Sequence, residues 1–342
     1  MLSSILLALG RAVDAHREGV LRVLVYHRVC HPGAGYRGDP HVLSATPEAF
    51  DEQMRYIARH YAPVTAHQAV AALLEMMPLP PGAVLVTFDD GYRDFLTDAW
   101  PILRRHGVPA LLFVPTAFPG AARGFWWDEL FEMVARTNVP RIQVFGQSAL
   151  PLRTVPERWA AVRTLNRFLK HLAPGDLPAR LQELRDVLGT PEVDGRWTLT
   201  WDEIRALVAE GLAVGSHTRT HPAIPYLTAE QLVDEVQRAH ADLARELGQA
   251  SPLFSYPFGM ADARVVPTLR EFGYVAAFIS LLGRNVVGRR DPFLLYRHSV
   301  DVHQSFARLG MSLTTVYVGA RESGRAVKAR VQQGLLRSVP SR

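Results

Sequence analysis

The stretch Val84-Leu-Val-Thr-Phe-Asp-Asp-Gly-Tyr92 decides how this chain folds. An apolar, β-branched run stops in two adjacent carboxylates and a glycine, as expected of a buried parallel strand that delivers polar groups at its C-terminal end. Side chains alternate along an extended chain, so Asp89 and Asp90 diverge, and one can hold a cation while the other moves a proton. Position alone leaves open which does which. A second stretch, Val214-Gly-Ser-His-Thr-Arg-Thr-His-Pro222, has the same design with His217 and His221. Two imidazoles four residues apart, on one helical turn or in a tight loop, suit a single divalent ion.

Outward from these two strings, strand-like runs fall at residues 22–27, 84–88, 110–114, 212–216, 253–256, 274–279 and 294–300, with helical periodicity between most of them. Seven apolar strands separated by helices predict an α/β fold, a distorted (β/α)7 TIM-like barrel with one enlarged domain. The polar residues at strand ends (His27, Asp89, Asp90, His217 and Tyr256 to Phe258) then converge on one face. Residues 120–198 are too many for a simple crossover and read as an inserted, mostly helical subdomain: a hairpin over 141–153 and helices over 156–172 and 177–188. It either covers the barrel or walls a substrate groove. The division expected is an N-terminal helix over 1–20, the barrel over 21–310 and a basic C-terminal tail over 311–342.

Composition narrows the chemistry. The 342 residues carry 48% hydrophobic side chains, enough for a large core, and 38 basic against 33 acidic residues, a net charge of +5 too mild and too dispersed for a nucleic-acid partner. With Cys30 as the single cysteine, any metal must rest on histidine and carboxylate. The apolar stretch Ile5 to Leu9 is too short to span a bilayer and lacks the basic lead of an export signal, which implies a cytoplasmic location. An N-terminal amphipathic helix and a basic helix over 325–336 leave peripheral membrane contact open.

Thr87-Phe-Asp-Asp-Gly-Tyr92 and Ser216-His-Thr-Arg-Thr-His-Pro222 together resemble the first two motifs of the polysaccharide deacetylases, the NodB-like enzymes of carbohydrate esterase family 4. Supporting strings are Leu24-Val-Tyr-His-Arg-Val29, Phe125-Trp-Trp-Asp-Glu-Leu130, Thr200-Trp-Asp-Glu203 and Phe254-Ser-Tyr-Pro-Phe-Gly259. The resemblance implies metal-dependent removal of acetyl groups, chiefly N-acetyl, from a polysaccharide, oligosaccharide or glycan-lipid intermediate. It makes Asp89 the general base, and Asp90, His217 and His221 the ligands of one divalent ion: zinc first, with cobalt, nickel, manganese or iron also compatible. It places substrate and oxyanion contacts at Tyr256, Pro257 and Phe258, the last through its backbone N–H. Two features depart from the family pattern. The third motif lacks its arginine, for which Arg297 is the nearest replacement, and the late histidine motif has no clean counterpart, His298 being the nearest candidate for the general acid. Residues 297 and 298 are adjacent on a strand and face opposite ways.

Each residue also has a plainer reading. Strand-end aspartates cap helices, His27 is either a pocket residue or a satisfied structural histidine, and Tyr256 and Trp201 are groove walls or core. Two rival functions share the barrel: an amidohydrolase acting on a cyclic amide with the same metal, and a catalytically silent carbohydrate-binding scaffold.

Overall fold

The computed structural model describes residues 19–33, 38–192, 197–248 and 252–324. The strands are β1 (Val20–Tyr26), β2 (Ala83–Asp89), β3 (Ala110–Val114), β4 (Ala213–Ser216), β5 (Leu253–Ser255), β6 (Ala276–Ile279), β7 (Leu295–Tyr296) and β8 (His298–Ser299). They pair in parallel in that order from β1 to β7, and β8 returns to β1 through Leu24↔His298. The last two are one strand position interrupted at Arg297, so the expected seven-stranded barrel is what forms.

The strands are buried on both faces, and alternate residues enter different cores. Leu21, Val23, Leu85, Leu111, Phe113, Leu253, Phe278 and Leu295 meet inside the barrel. Leu24, Tyr26, Val84, Val86 and Phe88 point outward onto Phe50, Met54 and Ile57 of α1 (Pro47–His60) and onto Leu103 of α3 (Trp100–His106); α2 (Ala66–Leu73) packs lower down. The interior is tight enough that a Cβ on Gly215 would lie 2.5 Å from the Phe113 ring, which explains a glycine in mid-strand.

The insertion follows β3. It comprises α4 (Trp126–Arg136), a short hairpin of Arg141–Ile142 with Leu150–Pro151, α5 (Val155–Lys170) and α6 (Leu177–Leu188), close to the expected bounds. Its own core is built from Phe125, Trp127, Leu130, Met133, Leu165 and Leu184. The returning chain pairs Thr198 with Tyr92, and Leu199 N–H donates to Gly91 O at 2.9 Å, so the insertion is tied to the loop carrying the two aspartates.

The remaining helices are α7 (Trp201–Ala209), α8 (Ala229–Leu247), α9 (Val266–Glu271) and α10 (Phe306–Ser312). Thr65, Thr154, Thr200 and Thr228 each close a capping box with Gln68, Glu157, Glu203 and Gln231, which fixes where α2, α5, α7 and α8 begin. The expected tail boundary at 310 falls inside α10, because Leu309 and Leu313 are buried against the barrel. The N-terminal helix, apart from residues 19 and 20, and the basic helix over 325–336 lie outside the described residues.

Candidate metal centre

Inward parity, set by the apolar residues of each strand, selects the polar groups at the mouth. Asp89 ends β2 on the parity of Leu85 and Thr87, and His27 follows β1 on the parity of Val23. Tyr26 pairs with Phe88, so His27 stands level with Asp89. Asp90 has outward parity, but its φ of 73° turns the chain back toward the cavity. His217 follows β4, and His221 returns after a tight loop in which Thr218 and His221 have φ of 65° and 57°. Of six non-glycine residues with positive φ among those described, Asp90, Thr218, His221 and Phe258 belong to this mouth. Such strain, about 1–3 kcal/mol per residue, persists where surrounding structure holds it. Here Glu235 of α8 does so, accepting from Arg219 N–H at 2.9 Å, Thr220 N–H at 2.8 Å and the Thr220 hydroxyl at 2.5 Å.

The four chemistry-bearing groups are buried and close. His221 Nε2 lies 3.4 Å from Asp90 Oδ1, and His217 Nε2 lies 3.7 Å from both Asp90 Oδ1 and Asp89 Oδ2. Asp90, His217 and His221 can each offer one ligand atom to a common ion. Their hydrogen bonding supports that use. His217 Nδ1 is 2.8 Å from Ser255 O, an acceptor only, so Nδ1 carries the proton and Nε2 presents a lone pair to the carboxylates. Burial lowers the pKa of His217 to about 4 against the pull of Asp89, and burial and then the neighbouring His217 take His221 well below the ordinary histidine value. Both imidazoles are neutral at neutral pH. Among the described residues, Asp90 Oδ1 has no hydrogen-bond partner. Lone pairs facing lone pairs in a buried cluster repel, and a divalent cation between them removes the conflict.

Asp89 has a different environment. Arg297, 1% exposed, donates Nη1 to Oδ1 and Nη2 to Oδ2, both at 2.7 Å, and Nη2 also reaches Ser255 Oγ at 2.8 Å. Burial pushes the Asp89 carboxyl up, but Arg297, His217 and the bidentate hydrogen bonds overcome it and hold the group well below the usual range. Asp90 goes the other way: burial, then the charges of Asp89 and Asp128, raise it well above that range. The adjacent aspartates are thus an unequal pair.

Asp89, Asp90, His27, His217, His221, Trp127, Lys170 and Phe258 line one cavity of about 280 Å³. Phe258 sits in the turn Pro257–Gly259 with φ of 57°, and its ring packs edge-on to His221 at 4.6 Å. Two expectations need correction. His298 does not join the cluster: it pairs with Leu24 on the outward face, takes a 2.9 Å hydrogen bond from Gln304 Nε2 and lines a separate small cavity. Tyr256 is core, fully buried, with its hydroxyl donating to Phe293 O at 3.0 Å. Trp201, for which groove wall and core were both open, packs on core.

Two supporting groups escaped the sequence reading. Asp128 lies in the quoted aromatic string; it accepts from the Tyr92 hydroxyl at 2.7 Å and from Asp39 N–H at 2.7 Å, while Trp127 Nε1 donates to Tyr92 Oη at 2.9 Å. Lys170 comes from the insertion, with no motif to announce it. For Asp128 the signal was a carboxylate directly after two tryptophans; for Lys170 there was none.

The polysaccharide deacetylase family model matches residues 77–140 and 181–277. Its gap falls on the hairpin and α5 of the insertion. The poly-β-1,6-N-acetyl-D-glucosamine N-deacetylase of Escherichia coli strain K12 is 38% identical over 238 residues, 69% of this chain and 31% of that protein. The matches span only 31% to 34% of the length of the first curated relatives. Among solved structures, the Streptococcus pyogenes deacetylase PplD in complex with acetate superposes with a TM-score of 0.57 at 16% identity, covering 87% of this chain and 99% of that one. IcaB from Ammonifex degensii gives a TM-score of 0.57 at 21% identity, covering 87% and 98%. These two likenesses show the barrel fold.

Proposed function

Because the chain belongs to the polysaccharide deacetylase family, we propose that it is a metal-dependent hydrolase that removes N-acetyl groups from a glycan. The observation that carries this reading is the division of labour at the mouth: Asp90, His217 and His221, each able to offer a ligand atom to one ion, beside an Asp89 kept ionised by Arg297. A divalent ion held there, zinc first and cobalt, nickel, manganese or ferrous iron as alternatives, supplies a Lewis acid that acidifies water and polarises the acyl carbonyl. Asp89 takes the proton of the attacking water, and the Arg297 fork keeps both of its oxygens in place. The clamp ensures ionisation at the expense of basicity, which suits a base whose water is already acidified.

The backbone N–H of Phe258 is the donor proposed for the developing oxyanion, a role indifferent to the side chain. For the leaving nitrogen the structure offers His27, level with Asp89 and lining the same cavity. Burial lowers its pKa, with Asp89 opposing, which makes the protonated ring a stronger acid and a rarer one. His27 replaces His298 in that role.

The test is acetate release from N-acetylglucosamine oligomers, β-1,6-linked first, by the metal-loaded chain. Absence of acetate from every N-acetylated glycan tried, together with ring-opening of a cyclic amide, would move the assignment to the rival amidohydrolase.

A further inference from the structure

A second cavity, of about 390 Å³, adjoins the first between the insertion and the barrel mouth. That is within the roughly 300–1,000 Å³ of small-molecule pockets. Its walls are largely apolar, including Phe118, Trp126, Leu169, Leu177, Leu181 and Ala223. Lys170, His221 and Phe258 line both cavities, so the apolar space begins beside a proposed metal ligand. Its volume is far more than the methyl of an acetyl group would fill.

The cations around this space are not equivalent. Arg123 pairs with Glu129 at 2.8 Å and Glu192 at 3.3 Å, and Arg185 pairs with Glu129 at 3.0 Å. Lys170, half-buried at the end of α5, has its Nζ 4.0 Å from the centroid of the Phe258 ring and forms no ion pair among the described residues. An ammonium resting on an aromatic ring, at the join of a polar and an apolar cavity, is set to meet an anion that arrives with the ligand.

We propose that the substrate is a 2-acetamido sugar joined through an anionic phosphate linkage to an apolar chain, with the linkage against Lys170 and the chain in the apolar cavity. The proposal rests on the deacetylase reading and specifies its substrate class. In a 2-acetamido sugar the amide nitrogen and the anomeric oxygen sit on neighbouring ring carbons, so an anomeric phosphate lies within a few ångströms of the scissile bond. Lys170 lines the cavity of the metal centre, as that adjacency requires. Water adds to the acyl carbon, the C–N bond breaks, acetate leaves and the amine takes the proton; the phosphate linkage is untouched and no co-reactant is needed. An alkyl chain matches the aliphatic walls of Leu169, Leu177 and Leu181 better than a hydroxylated sugar ring does.

The experiment uses the full chain loaded with zinc and a series of 2-acetamido-2-deoxyglucosyl phosphates esterified with methyl, hexyl or dodecyl groups, beside a neutral dodecyl glycoside and an N-acetylglucosamine oligomer. Acetate release and calorimetric binding are both read. The expected result is a rise in kcat/KM of roughly fourfold per methylene buried until the cavity is full. The phosphate should be favoured over the neutral glycoside by roughly tenfold, as one charge-assisted contact gives. Lys170→Gln should erase the preference for phosphate, and Ala117→Trp, at an exposed edge of the cavity, should flatten the chain-length series. Equal kcat/KM for methyl and dodecyl phosphates, or a better oligomer, overturns the proposal while leaving deacetylation intact. Binding that follows chain and charge with no acetate from any substrate sinks the deacetylase reading and leaves the ligand class standing.

Discussion

His27, just past the end of β1, and His298, in the neighbouring β8, are both largely out of water, and the structure gives them opposite fates. His27 follows β1 on the parity of Val23 and opens into the cavity of Asp89 and Asp90, whereas His298 lies beside Leu24 and faces the outer layer, hydrogen-bonded to Gln304. Arg297, one residue earlier, has inward parity with Leu295 and grips Asp89. In a parallel barrel, residue type nominates a group and strand parity decides whether it can act.

The largest effect expected on the inner face is that of Asp89→Asn. Loss of the base should lower kcat by about 10²–10⁴-fold, with metal binding retained, since Asp90, His217 and His221 remain; joint loss of metal and turnover would make Asp89 a ligand instead. His27→Gln should cost about 10²–10³-fold, and His298→Gln no more than a few-fold. Acetate-release kinetics on the two histidine variants in parallel break the comparison if the order reverses.

The local strings made most of this legible. Apolar runs ending in polar groups announced the barrel and the four central residues. What stayed hidden depended on pairing. Arg297 and His298 are consecutive, and only the register of β8 on Leu24 and the interior packing of Leu295 show which one turns inward. Tyr256 looked like a groove residue because the string around it is a site string, yet its hydroxyl finds a buried carbonyl. Glu235 holds the histidine loop from 14 residues past His221, on a helix whose sequence shows only amphipathic periodicity.

Arg297 offers the next sharpest test. Arg297→Met removes one partner of a fully buried pair and should cost about 3–5 kcal/mol of stability, read as a lower urea midpoint. Arg297→Lys keeps the charge but not the fork, so it should recover only part of the loss. A variant as stable as the parent would mean that water or another cation replaces the clamp. A smaller gain is expected from metal: at about 100 times its Kd, an ion bound only by the folded chain adds about 2.7 kcal/mol. The rise in Tm should disappear in His217→Ala if the cluster is the site.

The outer histidine should reveal itself through acid rather than through turnover. Burial lowers the pKa of His298 from 6.5 to about 4, so between those values the unfolded chain takes up a proton that the folded chain refuses. Its contribution to stability is therefore complete above pH 6.5, falls as pH drops toward 4 and changes no further below that. Because the ring is partly accessible, the loss is about 1–3 kcal/mol, short of the full linkage value. His27, His217 and His221 shift in the same direction and steepen the acid limb of any variant that keeps them, so the informative quantity is a difference. Urea unfolding of the parent and of His298→Gln, at pH 7 and pH 4.5, should show the variant losing less over the interval by that amount. Equal losses would place the His298 proton in solvent contact in both states, and the physical distinction between the inner and outer histidines would then rest on parity alone.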